Sequence, residues 1–289
     1  MSSPADNAPA APDDVPASRM VLVIEPGMTA KNYWGDLWRY RELVYFLAWR
    51  DIAVRYKQTA IGIAWALIRP ALTMLVFVGF RRLVGLPAGA IPEPILVIAA
   101  VLPWQFVSSA LSEAAGSLLG NANLITRIYF PRLMIPLAAV FTSLTDFAIT
   151  LVLLALLMVW YGFAPGWQIV AFPAFVLLAL GLSLGFGLLL AALNVEYRDF
   201  RYVVPFIVQF GLFVSPIAFS TVDVPADWRM LYALNPLVGI IDGFRWSLLA
   251  GRYPLASDTV WISLAVTAAV LVIGVWYFRK MEAGFADVI

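Results

Sequence analysis

Six long apolar runs, separated by shorter polar segments, dominate the 289-residue chain. A helix needs about 20 residues to cross about 30 Å of hydrocarbon, and each run is close to that length or longer. Only helices and closed barrels satisfy their backbone polar groups in lipid, so we expect these runs to be helical. The runs cover residues 61–80, 94–118, 133–161, 167–193, 203–220 and 259–278. The sequence therefore predicts an all-α, polytopic membrane protein with six transmembrane helices.

Composition excludes several classes of function. Hydrophobic residues make up 62% of the chain and charged residues 13%, about half the charged share of a soluble domain. The chain has no histidine and no cysteine, which removes imidazole bases, thiolate nucleophiles, disulfides and the usual zinc ligands. A net charge of +1 argues against nucleic acid as a partner. We expect no catalytic residue, metal site or bound cofactor in this chain.

The chain also lacks a nucleotide-binding loop of the Walker type. None of its three lysines, Lys31, Lys57 and Lys280, follows a glycine, so the sequence contains no Gly-Lys-Ser/Thr motif. Whatever energy this protein uses is therefore not released at a nucleotide site of its own.

Basic residues set the predicted orientation. An even number of spans puts both termini on one side, and cytoplasmic segments carry an excess of Lys and Arg. With the termini in the cytoplasm, the outer segments hold only Arg81, Arg82, Arg229, Arg245 and Arg252. The inner segments then hold the other 14 of the 19 basic residues: Arg19, Lys31, Arg39, Arg41, Arg50, Arg55, Lys57, Arg69, Arg127, Arg132, Arg198, Arg201, Arg279 and Lys280. Both termini are therefore predicted to be cytoplasmic.

The segment before the first run divides into two parts. Residues 1–30 are rich in Pro, Ala and Asp and lack the basic start and apolar core of a signal peptide, so we expect a disordered or extended cytoplasmic tail. Residues 31–57 mix aromatic and basic side chains, as in an amphipathic helix that lies in the headgroup layer. This interfacial helix is either a simple anchor or a direct participant in presenting a lipid-linked substrate.

The loop at residues 119–132, between the second and third runs, is more elaborate than a turn requires. Asn121 or Asn123 can cap a short helix, and Pro131 limits its far end. The middle of the loop combines aliphatic, basic and aromatic side chains: Leu124, Ile125, Arg127, Ile128, Tyr129 and Phe130. Such a segment suits a groove on another protein, or an interfacial turn whose aromatic rings lie at the membrane boundary.

Between the fifth and sixth runs, residues 223–250 are too apolar for an ordinary exterior loop and too broken for a span. Asn235-Pro236 and Gly243 are expected to divide this segment into two short helices. Irregular backbone at membrane depth occurs only where protein or a water-filled cavity surrounds it. We therefore predict a re-entrant helical pair that borders a pathway.

Charged and small residues inside the runs have competing interpretations. Glu113 and Asp146 are intramembrane carboxylates, for which we favour structural pairing over a proton relay. Arg69 either extends its guanidinium to the inner interface or binds a pyrophosphate head group. Gly181 and Gly185 form a small-xxx-small pair that indicates close helix packing.

Three stretches carry a resemblance to a known family. They are YRELVYFLAWRDIAVRYKQTAIGIAWALIRPALTMLVF, LPWQFVSSALSEAAGSLLGNANLITRIYFPRLMIPLAAV and NVEYRDFRYVVPFIVQFGLFVSPIAF with LNPLVGIIDGFRWSLLAG. From about Trp34 to Met281 the chain resembles the permease subunit of type-2 ABC exporters, which move lipid-linked polysaccharides such as O-antigen and capsule. Teichoic acid permeases share the motifs more distantly, so the resemblance does not identify the glycan.

The resemblance implies the partners that the sequence lacks. A separate cytoplasmic ATPase would bind ATP and Mg²⁺, and two permease copies would assemble with two ATPase copies in the bacterial inner membrane. The substrate would be an undecaprenyl-linked or similar polysaccharide, and residues 58–289 would form the six-helix transmembrane domain.

The resemblance also implies roles for individual residues. Coupling to the ATPase would fall on Asn121, Asn123, Leu124, Ile125, Arg127, Ile128, Tyr129 and Phe130. The interfacial helix would lie beside the substrate entrance, for which we single out Trp49, Arg50, Arg55, Lys57 and Arg69. The segment 223–250 would form the outer gate, with Trp228, Tyr232, Asn235, Pro236, Phe244 and Trp246.

The fifth run carries an aromatic stripe. Phe206, Phe210 and Phe213 are spaced by four and then three residues, which places them on one helix face with Gln209 at its edge. Lipid contact or core packing explains such a stripe. The resemblance adds an alternative, because helices one and five of these permeases line the channel, where aromatic rings would offer weak contacts to a sliding glycan.

Two other classes of function stay open. A secondary transporter needs charged coupling residues near midmembrane, and Glu113 with Asp146 is the only candidate pair. A membrane-embedded enzyme that transfers glycans needs a cluster of catalytic side chains, and the loops show none.

The predicted topology can be tested by cysteine accessibility. Because the natural chain has no cysteine, single cysteines introduced at Ser2, Trp228 and Ile289 report on their own positions. We expect an impermeant thiol reagent to label the Trp228→Cys variant from outside, and the Ser2→Cys and Ile289→Cys variants only after the cytoplasmic side is opened. Labelling of Trp228→Cys from the cytoplasmic side alone would overturn the topology.

Overall fold

The computed structural model describes residues 29–57, 64–86, 89–127, 130–197 and 199–285. Within these ranges the regular structure is entirely helical. The α-helices are α1 (Thr29–Arg39), α2 (Arg41–Lys57), α3 (Ala64–Val84), α4 (Glu93–Gly120), α5 (Ala122–Arg127), α6 (Met134–Trp160), α7 (Phe172–Glu196), α8 (Phe200–Val214), α9 (Ala226–Ala233), α10 (Pro236–Leu248) and α11 (Ser257–Met281). The all-α prediction is confirmed for the described part of the chain.

Four of the six predicted spans have the length and apolar character to cross a membrane. They are Glu93–Gly120, Met134–Trp160, Trp167–Glu196 and Ser257–Gly284. The third of these begins with a short 3-10 helix, Trp167–Ala171, that leads directly into α7. The second, third, fourth and sixth runs of the sequence are thus confirmed as membrane-spanning candidates.

The helices of the first and fifth runs are not among these four candidates. The first run gives α3, which has 21 residues but contains Arg69, Arg81 and Arg82. The fifth run gives α8, which has only 15 residues and ends at Val214 rather than at residue 220. Ser215 precedes Pro216 and has an extended ψ of 150°, because a residue before proline is disfavoured in the α region.

The interfacial segment forms two helices instead of one. The break lies at Tyr40, where the Leu43 N–H bonds to the Tyr40 carbonyl at 2.8 Å in a tight turn. Neither glycine nor proline marks this position. Beyond the break, α2 packs against α6 and buries Val44, Leu47 and Ala48. The turn therefore lets α2 pack on the bundle while α1 takes its own direction.

Residues 223–250 contain two short helices, as expected, but only one of the two predicted breaks is real. Asn235 and Pro236 separate α9 from α10, and the Asn235 side chain accepts a hydrogen bond from the Leu237 N–H at 3.1 Å. Gly243 does not interrupt the segment. It lies inside α10, where a Cβ would stand 2.1 Å from the ring of Phe175, so the glycine serves close packing.

Helix α4 lies at the centre of the bundle and contacts α3, α6, α7, α8 and α10. Helices in lipid gain little from hydrophobic burial against each other, so close backbone approach by small residues contributes most to their association. Gly187 of α7 follows this rule, because a Cβ there would stand 2.8 Å from the Cβ of Ala114 on α4. The Asn194 side chain joins the same two helices by donating to the Ala115 carbonyl at 2.8 Å.

The contact between α7 and α11 depends on two facing glycines. A Cβ on Gly274 would stand 2.1 Å from the Gly185 carbonyl oxygen, and one on Gly185 would stand 2.7 Å from the Leu271 backbone. Gly181 has more room, since a Cβ on it would lie 3.4 Å from the Thr267 side chain. The predicted close packing is therefore confirmed at Gly185.

Two buried arginines hold the chain that leaves α8. Arg81 of α3 donates to the Ala218 carbonyl at 2.7 Å. Arg245 of α10 donates to the carbonyls of Ile217 at 2.9 Å and Phe219 at 3.2 Å. Both arginines are less than a tenth exposed. They satisfy carbonyl groups that no helix satisfies, in a region that also contains the side chains of Ser220 and Tyr253.

The paired glycines predict a stability effect. In Gly274→Ala the new methyl group collides with backbone, which cannot move aside as a flexible side chain can. We expect a loss of about 1–3 kcal/mol, from overpacking. Thermal unfolding of the purified protein in detergent measures it. Gly116→Ala is the matched control, because no atom lies within 4 Å of the corresponding Cβ in α4. Equal melting temperatures for both variants would contradict the packing explanation.

Candidate functional site

An ion cluster joins three helices in the interior. Arg55, near the end of α2, binds Glu113 of α4 and Asp146 of α6, with the Arg55 Nη1 to Asp146 Oδ2 distance at 2.6 Å. Tyr56 donates a second hydrogen bond to Asp146. The two intramembrane carboxylates are thus paired, as the sequence led us to favour, although Arg55 was not foreseen as the partner. Carboxylates face an arginine fork here, which is the geometry that gives strong charge-assisted bonds.

A cavity of about 870 Å³ lies directly beside this cluster, within the range of known ligand sites. Its walls come from the end of α2 and from α3, α4 and α6, and they combine two surfaces. The apolar surface contains Trp65, Pro70, Leu72, Leu102, Phe106 and Phe147. The polar surface contains Arg55, Tyr56, Arg69, Thr73, Gln105, Ser108, Ser109, Glu113, Asp146 and Thr150.

Arg69 differs from Arg55 in what its guanidinium contacts. The Arg55 guanidinium is fully engaged by Glu113 and Asp146. Within the described ranges, the Arg69 guanidinium makes neither an ion pair nor a side-chain hydrogen bond, although it lines the same cavity. The cavity therefore contains one cation that is already neutralised and one that can bind an anion.

The five residues predicted for the substrate entrance separate into two groups. Arg55 and Arg69 line the cavity. Trp49 and Lys57 are exposed on α2 and lie outside its lining. Arg50 also lies outside this lining, where it binds Asp51 at 2.7 Å and donates to Asn121 Oδ1 at 2.9 Å. It lines a smaller cavity of about 200 Å³ together with Arg55, so only two of the five residues reach the larger cavity.

The loop at residues 119–132, named the coupling loop here for its predicted role, contains the expected short helix, α5. Asn123 and Arg127 are exposed, and Leu124 is half-buried. Ile125 and Phe130 are 5% and 4% exposed, so their side chains pack inside this chain and are not free to contact a partner. Two further predicted coupling residues, Ile128 and Tyr129, lie outside the described residues.

A polar junction at the exit of this loop was not predicted from the sequence. The Arg132 N–H donates to Glu282 Oε1 at 2.7 Å, and the Arg132 guanidinium donates to the Glu282 carbonyl. Tyr33 of α1 is buried beside this carboxylate, and Arg279 stacks on the Tyr33 ring at 4.5 Å. Burial raises the pKa of the Tyr33 hydroxyl, and the nearby negative charge of Glu282 raises it further, so the hydroxyl keeps its proton.

The aromatic stripe of α8 is exposed on the surface of the chain. Phe206, Phe210 and Phe213 are 65%, 58% and 70% exposed, and Gln209 beside them is exposed as well. The rings of Phe206 and Phe210 are stacked, with centroids 5.9 Å apart. The predicted shared face is confirmed, whereas its role in a channel stays a prediction.

The residues predicted for the outer gate have different environments. Trp228 is exposed on α9, and Tyr232 is half-buried. Pro236 and Phe244 are buried, and the Phe244 ring packs edge-on against Phe147 and Phe172. The remaining two residues lie at α10: Asn235 caps it, and Trp246 contacts the Trp167 ring edge-on.

The ion cluster predicts a charge-compensation effect. Arg55→Ala leaves two carboxylates without their cation. Breaking a buried ion pair costs about 3–5 kcal/mol. Because 26–32% of these side chains is exposed, solvent screening should reduce the loss to about 1–3 kcal/mol.

Thermal unfolding of the purified variants measures the loss. Lys57→Ala, at the exposed end of the same helix, should unfold like the natural protein. The triple variant Arg55→Met, Glu113→Gln, Asp146→Asn should recover most of the lost stability, because it removes all three charges together. A triple variant less stable than Arg55→Ala would contradict charge compensation.

Comparison with known proteins places this geometry in a family. The family model of the ABC-2 type transporter matches residues 42–249, which begin in α2 and end just after α10. The O-antigen export system permease protein RfbA of Myxococcus xanthus is 30% identical over 259 residues, covering 87% of this chain and 97% of that protein. The polysialic acid transport protein KpsM of Escherichia coli is 24% identical over 238 residues, covering 81% and 91%. The match includes the ion cluster and the cavity, and it extends over more than half of the chain, which therefore belongs to the ABC-2 type transporter family.

Proposed function

We propose that this chain is the permease subunit of an ATP-driven exporter that moves a lipid-linked polysaccharide across the bacterial inner membrane. Proteins similar to this chain are named as permeases for O-antigen export and as a transport protein for polysialic acid. The cavity beside the ion cluster is the observation that carries the proposal. It combines a cation, hydroxyl and amide groups, and an apolar wall, which together match a phosphate, a sugar and a lipid.

Arg69 is the proposed contact for the phosphate groups that join the glycan to its lipid. Its guanidinium presents several donors in a fixed fork, which suits the oxygen atoms of a pyrophosphate. Thr73, Gln105, Ser108 and Ser109 line the same space and can bond sugar hydroxyls. Trp65 offers an apolar face to the C–H surface of a sugar ring or to the first lipid units.

The paired carboxylates argue for an exporter over a secondary transporter. A coupling carboxylate must exchange its proton or ion during transport. Glu113 and Asp146 instead share Arg55, which offsets one of their two negative charges and holds α2, α4 and α6 together. An enzyme that transfers glycans is supported even less, because the loops of the sequence contain no histidine, no cysteine and no cluster of carboxylates.

In the proposed topology α3 and α8 complete six spans, with both termini in the cytoplasm. Helix α3 has 21 residues, enough to cross the hydrocarbon layer if Arg69 and Arg81 are covered by protein or reach water. Helix α8 is shorter, and the chain after it continues at depth because arginines bind its carbonyls. We propose that α9 and α10 re-enter the membrane from outside and form the outer gate.

A separate cytoplasmic ATPase is proposed as the partner of residues 119–132, and it would bind ATP with Mg²⁺. The exposed Asn123 and Arg127 are the described side chains best placed for that contact. A second copy of the chain is proposed to cover the exposed stripe of α8, so that two stripes enclose the glycan pathway. Aromatic faces bind sugar weakly and repeatedly, which suits a polymer that must slide.

The role of Arg69 can be tested on the purified permease with its ATPase, reconstituted in lipid. We expect Arg69→Ala to raise the lipid-linked glycan concentration that half-maximally stimulates ATP hydrolysis. The expected increase is about ten- to a hundredfold, which corresponds to the free energy of one lost charge-assisted hydrogen bond. The half-maximal concentration for Arg69→Lys should lie between those of the natural protein and of Arg69→Ala, because a lysine retains the charge without the forked donors of a guanidinium.

Arg82→Ala is the matched control for this measurement. Arg82 belongs to the same helix, but its side chain is 70% exposed and pairs with Glu93 outside the cavity. It should leave the half-maximal concentration unchanged. Equal shifts in Arg69→Ala and Arg82→Ala would refute the assignment of the cavity.

A further inference from the structure

The coupling loop is supported by a hydrophobic cluster separate from the main core. Buried residues of α1, α2, α4, α6, α7 and α11 form this cluster, and the loop contributes Ile125 and Phe130. Leu47 of α2 and Phe278 of α11 belong to it. The loop is therefore packed against other elements of the chain. It shares one packed interior with the interfacial helices and with the end of α11.

Two polar contacts fasten the loop at its entry and its exit. At the entry, Asn121 accepts a hydrogen bond from Arg50 of α2 and donates to the Ser117 carbonyl at 2.9 Å. At the exit, Arg132 is bound to Glu282 through both its N–H and its guanidinium. The contacts to Arg50 and Glu282 join residues that are far apart in sequence, by 71 and 150 positions. The loop is thus fixed at both ends to other elements.

We infer that α1, α2, the coupling loop and the turn after α11 form one rigid unit, with Glu282 as its positioning residue, which carries movement of the loop to the cavity wall. The function of this movement rests on the exporter proposal, whereas the rigidity of the unit does not. Glu282 acts through Arg132 and contacts neither nucleotide nor glycan.

The path from the loop to the cavity is short. Arg50 and Arg55 lie five residues apart on α2, which is a rise of about 7.5 Å along the helix. Arg50 contacts the loop, and Arg55 forms part of the cavity wall. A packed helix is stiff over such a distance, so a displacement of Asn121 that moves α2 through Arg50 shifts Arg55 as well. Displacing Arg55 alters the ion cluster, and with it the shape of the cavity.

Three variants separate positioning from general stability. Glu282→Ala removes the acceptor of the Arg132 N–H. Glu282→Gln retains a side-chain oxygen in the same place and should behave like the natural protein. Glu196→Ala is the matched control, because Glu196 also accepts one hydrogen bond at the end of a helix, from Tyr277 at 2.7 Å, but lies outside the loop junction.

The first measurement uses the permease alone in lipid nanodiscs, and needs neither glycan nor ATPase. Spin labels on Trp38→Cys of α1 and Thr126→Cys of α5, both exposed positions, report the distance between interfacial helix and loop. We expect one narrow distance distribution in the natural background, in Glu282→Gln and in Glu196→Ala. Glu282→Ala should give a distribution at least about twice as wide. Equal widths in all four proteins would overturn the rigid unit.

The second measurement uses the reconstituted complex with its ATPase. We expect Glu282→Ala to raise the ATP hydrolysed per glycan exported by about two- to thirtyfold, the range of coupling changes known for residues between distant sites. Assembly with the ATPase should be unchanged. Efficient export by Glu282→Ala, despite a widened distance distribution, would refute the role of the junction in coupling. If the complex exports no glycan at all, the exporter proposal fails while the distance measurement still decides the rigid unit.

Discussion

The interaction on which the interior depends is the pairing of one arginine with two carboxylates. A largely buried charge is costly without a partner, so the bonds among Arg55, Glu113 and Asp146 fix the relative positions of α2, α4 and α6. Their bonds also determine which arginine of the adjacent cavity is already paired with a carboxylate. Because Arg55 is neutralised, Arg69 supplies the one guanidinium lining the cavity, among the described residues, that has no carboxylate partner. Arg55 thereby serves structural pairing, and the proposed anion binding falls to Arg69.

In lipid, close packing contributes more to the association of helices than hydrophobic burial does. Gly185 and Gly274 bring α7 and α11 together, and Gly187 brings α7 to α4. The loop at residues 119–132 belongs to a second hydrophobic cluster, to which it contributes Ile125 and Phe130. The molecule therefore has a central packed bundle and a second packed region where this loop meets α1, α2 and the end of α11.

Much of the fold could be predicted from the sequence, because apolar length and backbone satisfaction leave few alternatives. Four long runs correspond to four clear spans, and the break at Asn235-Pro236 followed from helix capping and proline chemistry. Predictions erred where packing, and not a helix break, requires a glycine: Gly243 lies inside α10 and leaves space for the ring of Phe175. The site was harder to predict. The partners of Arg55 lie 58 and 91 positions away, and no local pattern encodes such a distance. Glu282 was missed for the same reason, since its contact to Arg132 spans 150 positions.

The two arginines that bind the chain after α8 have a consequence for how the protein enters the membrane. Arg81 binds the Ala218 carbonyl, which lies 137 positions later in the chain. In the proposed topology, α3 must therefore carry Arg81 to the outer side before its partner has been synthesised. An arginine at the centre of a helix costs about 2.5–3.5 kcal/mol on insertion, and less near the end, where Arg81 lies. The apolar length of the neighbouring α4 can offset this cost if the two helices insert as a hairpin. The contact of Arg81 with Ala218 would then reflect the order of insertion. Helices α3 and α4 would enter the membrane first, while Arg81 lacks this partner. The chain after α8 would bind Arg81 when it is inserted later.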